Sequence, residues 1–180
     1  MKLISRGLVL AAGLLGVTGT ADSDARHPEV AAQKDPRTIR LREYFQRRDC
    51  PAVVYAKDFI LAADRHNLDW RLLPSLSMVE SSGGKALKNN NIFGYDNCKT
   101  RFSSIRAGIY YVAEVLAKSD AYKDKTLDGV LRTYNPRTEY APTVKAFMAQ
   151  LGPARMAKAG NKHQTPSLNA QPQAARAAVN

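Results

Sequence analysis

LLPSLSMVESSGGKALKNNNIFG, residues 72–94, is the stretch around which the chain is organised. Leu72, Leu73, Leu76 and Val79 share one arc of a helix that turns by roughly 100° per residue. Glu80 follows Leu76 by four positions and Leu73 by seven, so its carboxylate is expected on the apolar face. Asp69 is the expected cap, and Pro74 falls early enough in the helix to be tolerated. Gly83-Gly84 then ends the helix. Beyond it, Asn89-Asn90-Asn91 precedes the apolar Ile92-Phe93-Gly94-Tyr95, and Asp96-Asn97 is a turn signal. Residues 99–102 are expected to pair back, giving a small β-hairpin.

A glutamate at this place has a chemical use. Apolar neighbours disfavour its charged form, and the negative end of the helix dipole acts in the same direction. Both raise its pKa toward the range of a general acid, which can protonate a glycosidic oxygen as the bond breaks.

Outward from this core, helical spacing recurs. Pro36 opens a helix to about Arg48, with Ile39, Leu41, Tyr44 and Phe45 apolar and Arg40, Arg42, Arg47 and Arg48 basic. Asp49 or Cys50 caps a second helix, which has Pro51 at its first position and reaches about His66. Ser103 or Ser104 caps a longer helix to about Lys118, buried through Ile105, Ile109, Val112, Val115 and Leu116. Thr126 caps a short helix that Asn135-Pro136 breaks. Thr138 caps the last, where Val144, Phe147, Met148 and Leu151 form one stripe before Gly152-Pro153. The expected class is mainly α with one hairpin, a single domain over residues 36–153.

The two ends read differently. Lys2 and Arg6 precede the short apolar run of residues 7–17, and Gly19-Thr20-Ala21 supplies small residues, the pattern of a signal peptide over residues 1–21. Residues 22–35 read as a disordered leader and residues 154–180 as a disordered basic tail. Export to the periplasm or medium gives Cys50 and Cys98, the only two cysteines, an oxidising setting. A disulfide between them is expected, stabilising the fold by about 3–4 kcal/mol on the chain-entropy model.

The formal net charge is +11, and +9 without Lys2 and Arg6. Arg155, Lys158, Lys162 and Arg176 give the tail four positive charges with no acid. In an exported protein this suits an anionic envelope polymer or an envelope protein. No aromatic-interleaved basic motif points to nucleic acid. The three histidines, His27, His66 and His163, are scattered, and neither cysteine has metal-ligand spacing, so no metal and no organic cofactor is expected. The chain is expected to be a monomer.

The runs LLPSLSMVESSGGK, NNIFGY and FSSIRAGIYYV together resemble the lysozyme-like superfamily. They are most similar to the bacterial endo-β-N-acetylglucosaminidases (mannosyl-glycoprotein endo-β-N-acetylglucosaminidase-like domains), with features of the soluble lytic transglycosylases. The likeness covers roughly residues 53–151. It implies a lysozyme-like helical fold with Glu80, in the pair Glu80-Ser81, as catalytic acid. Asn90 to Gly94 stand where those glucosaminidases have an N-N-x-F-G segment lining the cleft, which implies substrate contacts from Asn91 and Phe93. Tyr134-Asn135-Pro136 is similar to the Y-N-x-G segment that closes the transglycosylase cleft, although Arg137 and Thr138 follow it here. Tyr140 is similar to a second cleft tyrosine of the glucosaminidases. The transglycosylase G-L-M-Q segment is absent.

The expected activity is cleavage of β-1,4 amino-sugar bonds in the glycan strands of peptidoglycan. Asp96 is the candidate second carboxylate. N-acetylated sugars carry their own internal nucleophile, so one glutamate can suffice. A lytic transglycosylase forming anhydro-muramic ends and a non-catalytic glycan-binding module are the alternatives.

Overall fold

The computed structural model describes residues 32 and 34–154. The expected signal peptide, most of the expected leader and nearly all of the basic tail lie outside the described residues. Six α-helices carry the described chain: α1 Pro36–Gln46, α2 Ala56–Arg65, α3 Leu72–Ser81, α4 Ile105–Lys118, α5 Leu127–Tyr134 and α6 Tyr140–Leu151. Two short 3-10 turns, Pro51–Tyr55 and Tyr95–Cys98, interrupt them.

The leader ends earlier than its composition suggests. Ala32 and Lys34 are helical, Ala32 is buried, and Asp35 caps α1 by accepting the Arg37 N–H at 2.8 Å. Arg37 then reaches from Asp35 to both oxygens of Asp64, at 2.7 Å each, and ties α1 to α2. Burial raises the Asp35 pKa, but the hydrogen bonds from Arg37 outweigh it and hold the carboxyl below its ordinary value.

The core is continuous from α1 to the loop after α3. The rings of Phe45 and Phe59 lie 5.7 Å apart, and Phe59 meets Phe93 edge to face at 6.2 Å. All three are fully buried, and burying each such side chain stabilises the fold by about 1.5–3 kcal/mol. Leu73, Leu76, Ile92, Ile109, Val112, Leu131 and Val144 belong to the same core.

The relation between α3 and α6 positions the site. Trp70 donates its indole N–H to the Pro153 carbonyl at 3.3 Å, and Arg71 donates to the Gly152 carbonyl at 2.8 Å. Asp69 holds Arg71 in that pose through contacts of 2.9 and 2.6 Å. The start of α3 is thereby fastened to the end of α6. The two helices pack against each other, so the end of α3 lies beside the start of α6.

Three local expectations are corrected. Asp69 does not cap α3: its carboxylate accepts the Arg71 N–H at 3.0 Å and closes the turn before the helix. Thr138 does not cap α6, which begins at Tyr140, because the preceding turn is set by Asn135, whose Oδ1 accepts the Arg137 N–H at 3.1 Å. The helix expected from Pro51 starts as a 3-10 turn and becomes α-helical only at Ala56.

The β-hairpin is not formed. Among the described residues there is one isolated bridge, between Lys88 and Asn91. Backbone at positive φ explains this: Asn89, Asn90, Gly94, Asp96, Asn97 and Cys98 all occupy the left-handed region, which no strand ladder can follow. The asparagine side chains replace the ladder. Asn89 donates to the Cys98 carbonyl at 2.8 Å, Asn90 to the Phe102 carbonyl at 2.9 Å, and Asn91 to the carbonyls of Tyr95 and Thr100 at 2.8 and 3.2 Å.

The expected disulfide is also absent; both cysteines are free thiols. Gly83, at φ +66°, leaves a notch at the end of α3 that Cys50 fills, since a Cβ on Gly83 would lie 2.7 Å from Cys50 Sγ. Cys50 Sγ rests there, 3.8 Å from Met78 Sδ. Cys98 belongs to the asparagine-clamped loop instead.

Candidate functional site

Glu80 is the second-last residue of α3, and α3 closes through Ser82 in the left-handed conformation. Its Oε1 accepts the Tyr140 hydroxyl at 2.6 Å. Gly94 forms the facing wall: a Cβ there would stand 2.8 Å from Glu80 Oε2. Gly94 has φ +60°, so a side chain would bring both a clash and backbone strain. Oε2 has no hydrogen-bond donor among the described residues.

Ser81 holds this arrangement from behind. Its hydroxyl donates to the Ile92 carbonyl at 2.8 Å and accepts the Gly84 N–H at 3.1 Å. One side chain therefore joins the end of α3, the glycine turn and the turn that leads to Gly94.

Burial pushes the Glu80 carboxyl above its ordinary pKa, and the hydrogen bond from Tyr140 pulls it partly back. Burial and the Glu80 acceptor together hold the Tyr140 phenol far above its usual range. Tyr140 thus stays protonated and donates. When Glu80 is protonated, this donation assigns Oε1 the carbonyl role and leaves the acid proton on Oε2.

Tyr134 stacks on Tyr140, with ring centroids 6.1 Å apart and planes 11° from parallel. Its hydroxyl donates to the Phe93 carbonyl at 2.7 Å. Burial, then the nearby charge of Glu80, raises the Tyr134 phenol well above its usual pKa. The tyrosine pair braces Glu80 and the Phe93–Gly94 backbone against each other.

Most of the side chains that the resemblance implies as substrate contacts are engaged within the protein. The Asn91 side chain is buried and fully used: besides its two donations, its Oδ1 accepts the Tyr95 N–H at 3.0 Å. The Phe93 side chain is fully buried against Phe59, and only its carbonyl reaches the site. The hydroxyls of Tyr134 and Tyr140 are committed to the protein. Asp96 does line a cavity with Glu80, although its Oδ2 accepts from Thr100 Oγ1 at 3.2 Å and the turn places it on exposed backbone.

Two cavities of about 250 Å³ each meet at Glu80 and Asn135. One is lined by Gly94, Tyr95, Asp96, Tyr122 and Tyr134. The other is lined by Val79, Arg137, Glu139, Tyr140 and Thr143. Glu80 therefore stands at the middle of a groove rather than at its end. Tyr122 and Arg137 are site-lining residues that the sequence does not mark. Asn135 and Gly94 carry a signal through the resemblance of their segments to cleft segments, but their contact partners are remote in sequence.

Among the described residues no three His, Cys, Asp or Glu side chains gather as metal ligands, and no helix is long and apolar enough to cross a membrane. The chain matches no protein-family model, no curated protein and no solved structure.

Proposed function

We propose that this protein is a lysozyme-like glycoside hydrolase that cleaves β-1,4 bonds between amino sugars in peptidoglycan, of the endo-β-N-acetylglucosaminidase type, with Glu80 as general acid. The observation that carries this reading is the Glu80 carboxyl at the centre of a two-sided groove, half-buried, with one oxygen fixed by Tyr140 and the other facing no protein donor.

In this reaction the glycan lies along both lobes with the scissile oxygen at Glu80 Oε2. Glu80 gives its proton to that oxygen as the C1–O bond breaks. The acetamido oxygen of the sugar on the other side of the bond attacks C1 and forms a cyclic intermediate. Water then opens that ring, gives one proton back to Glu80, and leaves a reducing sugar end. Asp96 faces the same cavity and suits a role in holding the acetamido N–H or the water. Tyr95, Tyr122 and Tyr134 offer rings against which a sugar face can pack. Export, suggested by the first 21 residues, would bring the protein to its polymer.

Digesting purified peptidoglycan with the protein and weighing the fragments tests the reading. Reducing N-acetylglucosamine ends support it. Anhydro-muramic ends assign a lytic transglycosylase instead, and intact strands that sediment with the protein assign a binding module.

A further inference from the structure

A second depression adjoins the Glu80 cavity at Arg137. Arg137 lines the cavity beside Glu80 and also a shallow recess of about 510 Å³ that it shares with Arg132, Ala141, Pro142 and Lys145. Three cations border this recess against one acid, Asp128, which is paired with Lys145. Arg132 and Arg137 have no acidic partner within salt-bridge distance among the described residues. Glu139 lines the Glu80 cavity but not the recess. On the opposite side of Glu80 the charge has the other sign, since Asp96 is the only charged residue there besides Glu80. The charge therefore differs between the cavities: acidic and aromatic beside Tyr134, mixed beside Tyr140 where Arg137 and Glu139 both stand, and basic in the recess.

We infer that the Arg132–Arg137–Lys145 recess receives a carboxylate carried on a branch of the glycan, next to the bond that Glu80 cleaves. A guanidinium binds a carboxylate through paired N–H donors, and Arg137 lines both the Glu80 cavity and the recess. An unbranched neutral polymer has nothing to place in the recess. An acid-bearing branch on the other side would meet Asp96. The recess thus fixes both the substrate class and the direction in which the strand lies. This inference rests on the glycosidase reading of Glu80.

Three substrates test it: peptidoglycan strands with acidic stem peptides, the same strands after the peptides are removed to leave the lactyl carboxylate, and a neutral N-acetylglucosamine oligomer. Strands bearing a carboxylate are expected to be cut with kcat/KM about tenfold higher than the neutral oligomer. The double variant Arg132→Gln, Arg137→Gln is expected to lose that preference mainly through KM, with an unchanged thermal melt. Preference for intact strands alone identifies the peptide carboxylates, preference for the stripped strands alone identifies the lactyl carboxylate that peptide removal frees, and equal preference shows that the recess takes either. If the wild type cuts the neutral oligomer as well as the others, or the double variant keeps the preference, the recess is not the determinant while the Glu80 reading stands. If none of the three is cut, both fall.

Discussion

Tyr140 donates its hydroxyl to Glu80 Oε1 at 2.6 Å, across 60 residues of sequence and between the opposed ends of two packed helices. This contact decides which oxygen of Glu80 carries the acid proton, and it is the one contribution that moderates the burial-raised pKa.

Removing it has a signed consequence. In Tyr140→Phe the lowering contribution is lost, so the Glu80 pKa rises further. A general acid works in its protonated form, so the limb of the kcat profile that falls with increasing pH should move to higher pH. The maximal rate should drop by about tenfold, the cost of one well-placed hydrogen bond. A limb that stays in place would mean that Tyr140 serves packing only.

Burial of Glu80 also couples stability to pH. A carboxyl whose folded pKa lies above its unfolded value contributes stability in full below the unfolded value. That contribution is lost as pH rises through the folded value. Glu80→Gln should therefore be more stable than the wild type at about pH 7 and not at about pH 4, as read from urea midpoints at the two conditions.

Gly94 should tolerate no side chain. In Gly94→Ala the new Cβ meets Glu80 Oε2 at 2.8 Å, on backbone held at φ +60°. The strain costs about 1–2 kcal/mol of stability. Displacing the carboxylate should cost about 100-fold in kcat, well beyond what that loss of stability explains. Denaturant melts beside steady-state rates separate the two effects.

Asn91 should behave as a structural residue. Asn91→Ala strands the Tyr95 N–H and the carbonyls of Tyr95 and Thr100, a loss of about 2–4 kcal/mol. A variant as stable as the wild type but weak in KM would return Asn91 to the substrate-binding role that its resemblance implied.

The two thiols are predicted to remain free. A thiol reagent should find both in denaturant without reductant. In the native protein Cys98 should react first, because Cys50 is buried and burial raises its thiol pKa. No titratable thiol in denaturant would show that the loop rearranges to form the bridge.

The helices were legible because their signals are local: the arc through Leu72, Leu73, Leu76 and Val79, the caps at Ser104 and Thr126, and the stop at Gly83-Gly84, which the left-handed Ser82 precedes. The same arc turned Glu80 away from solvent, and it stands half-buried between two cavities. The segment after Gly84 was misread because strand propensity in Ile92 and Phe93 competes with the left-handed tolerance of asparagine. The asparagines prevail by binding carbonyls up to 12 residues away. The resemblance made Asn91 and Phe93 cleft candidates, but their burial is a property of packing against Phe59 and the loop. The disulfide failed for a similar reason: cysteine count and expected compartment do not reveal that Gly83 opens a notch for Cys50. The Glu80–Tyr140 bond depends on how α3 and α6 align, which the Trp70 and Arg71 contacts to Pro153 and Gly152 fix over a sequence distance that no periodicity spans.

The most direct test of the central claim is the turnover of purified peptidoglycan by the wild type and by Glu80→Gln, which keeps an acceptor for Tyr140 but has no proton to give. The rate of new reducing ends should fall by about 10²–10⁴-fold in the variant, while its binding to the strands persists. Wild-type turnover in Glu80→Gln would contradict the assignment of Glu80 as the acid.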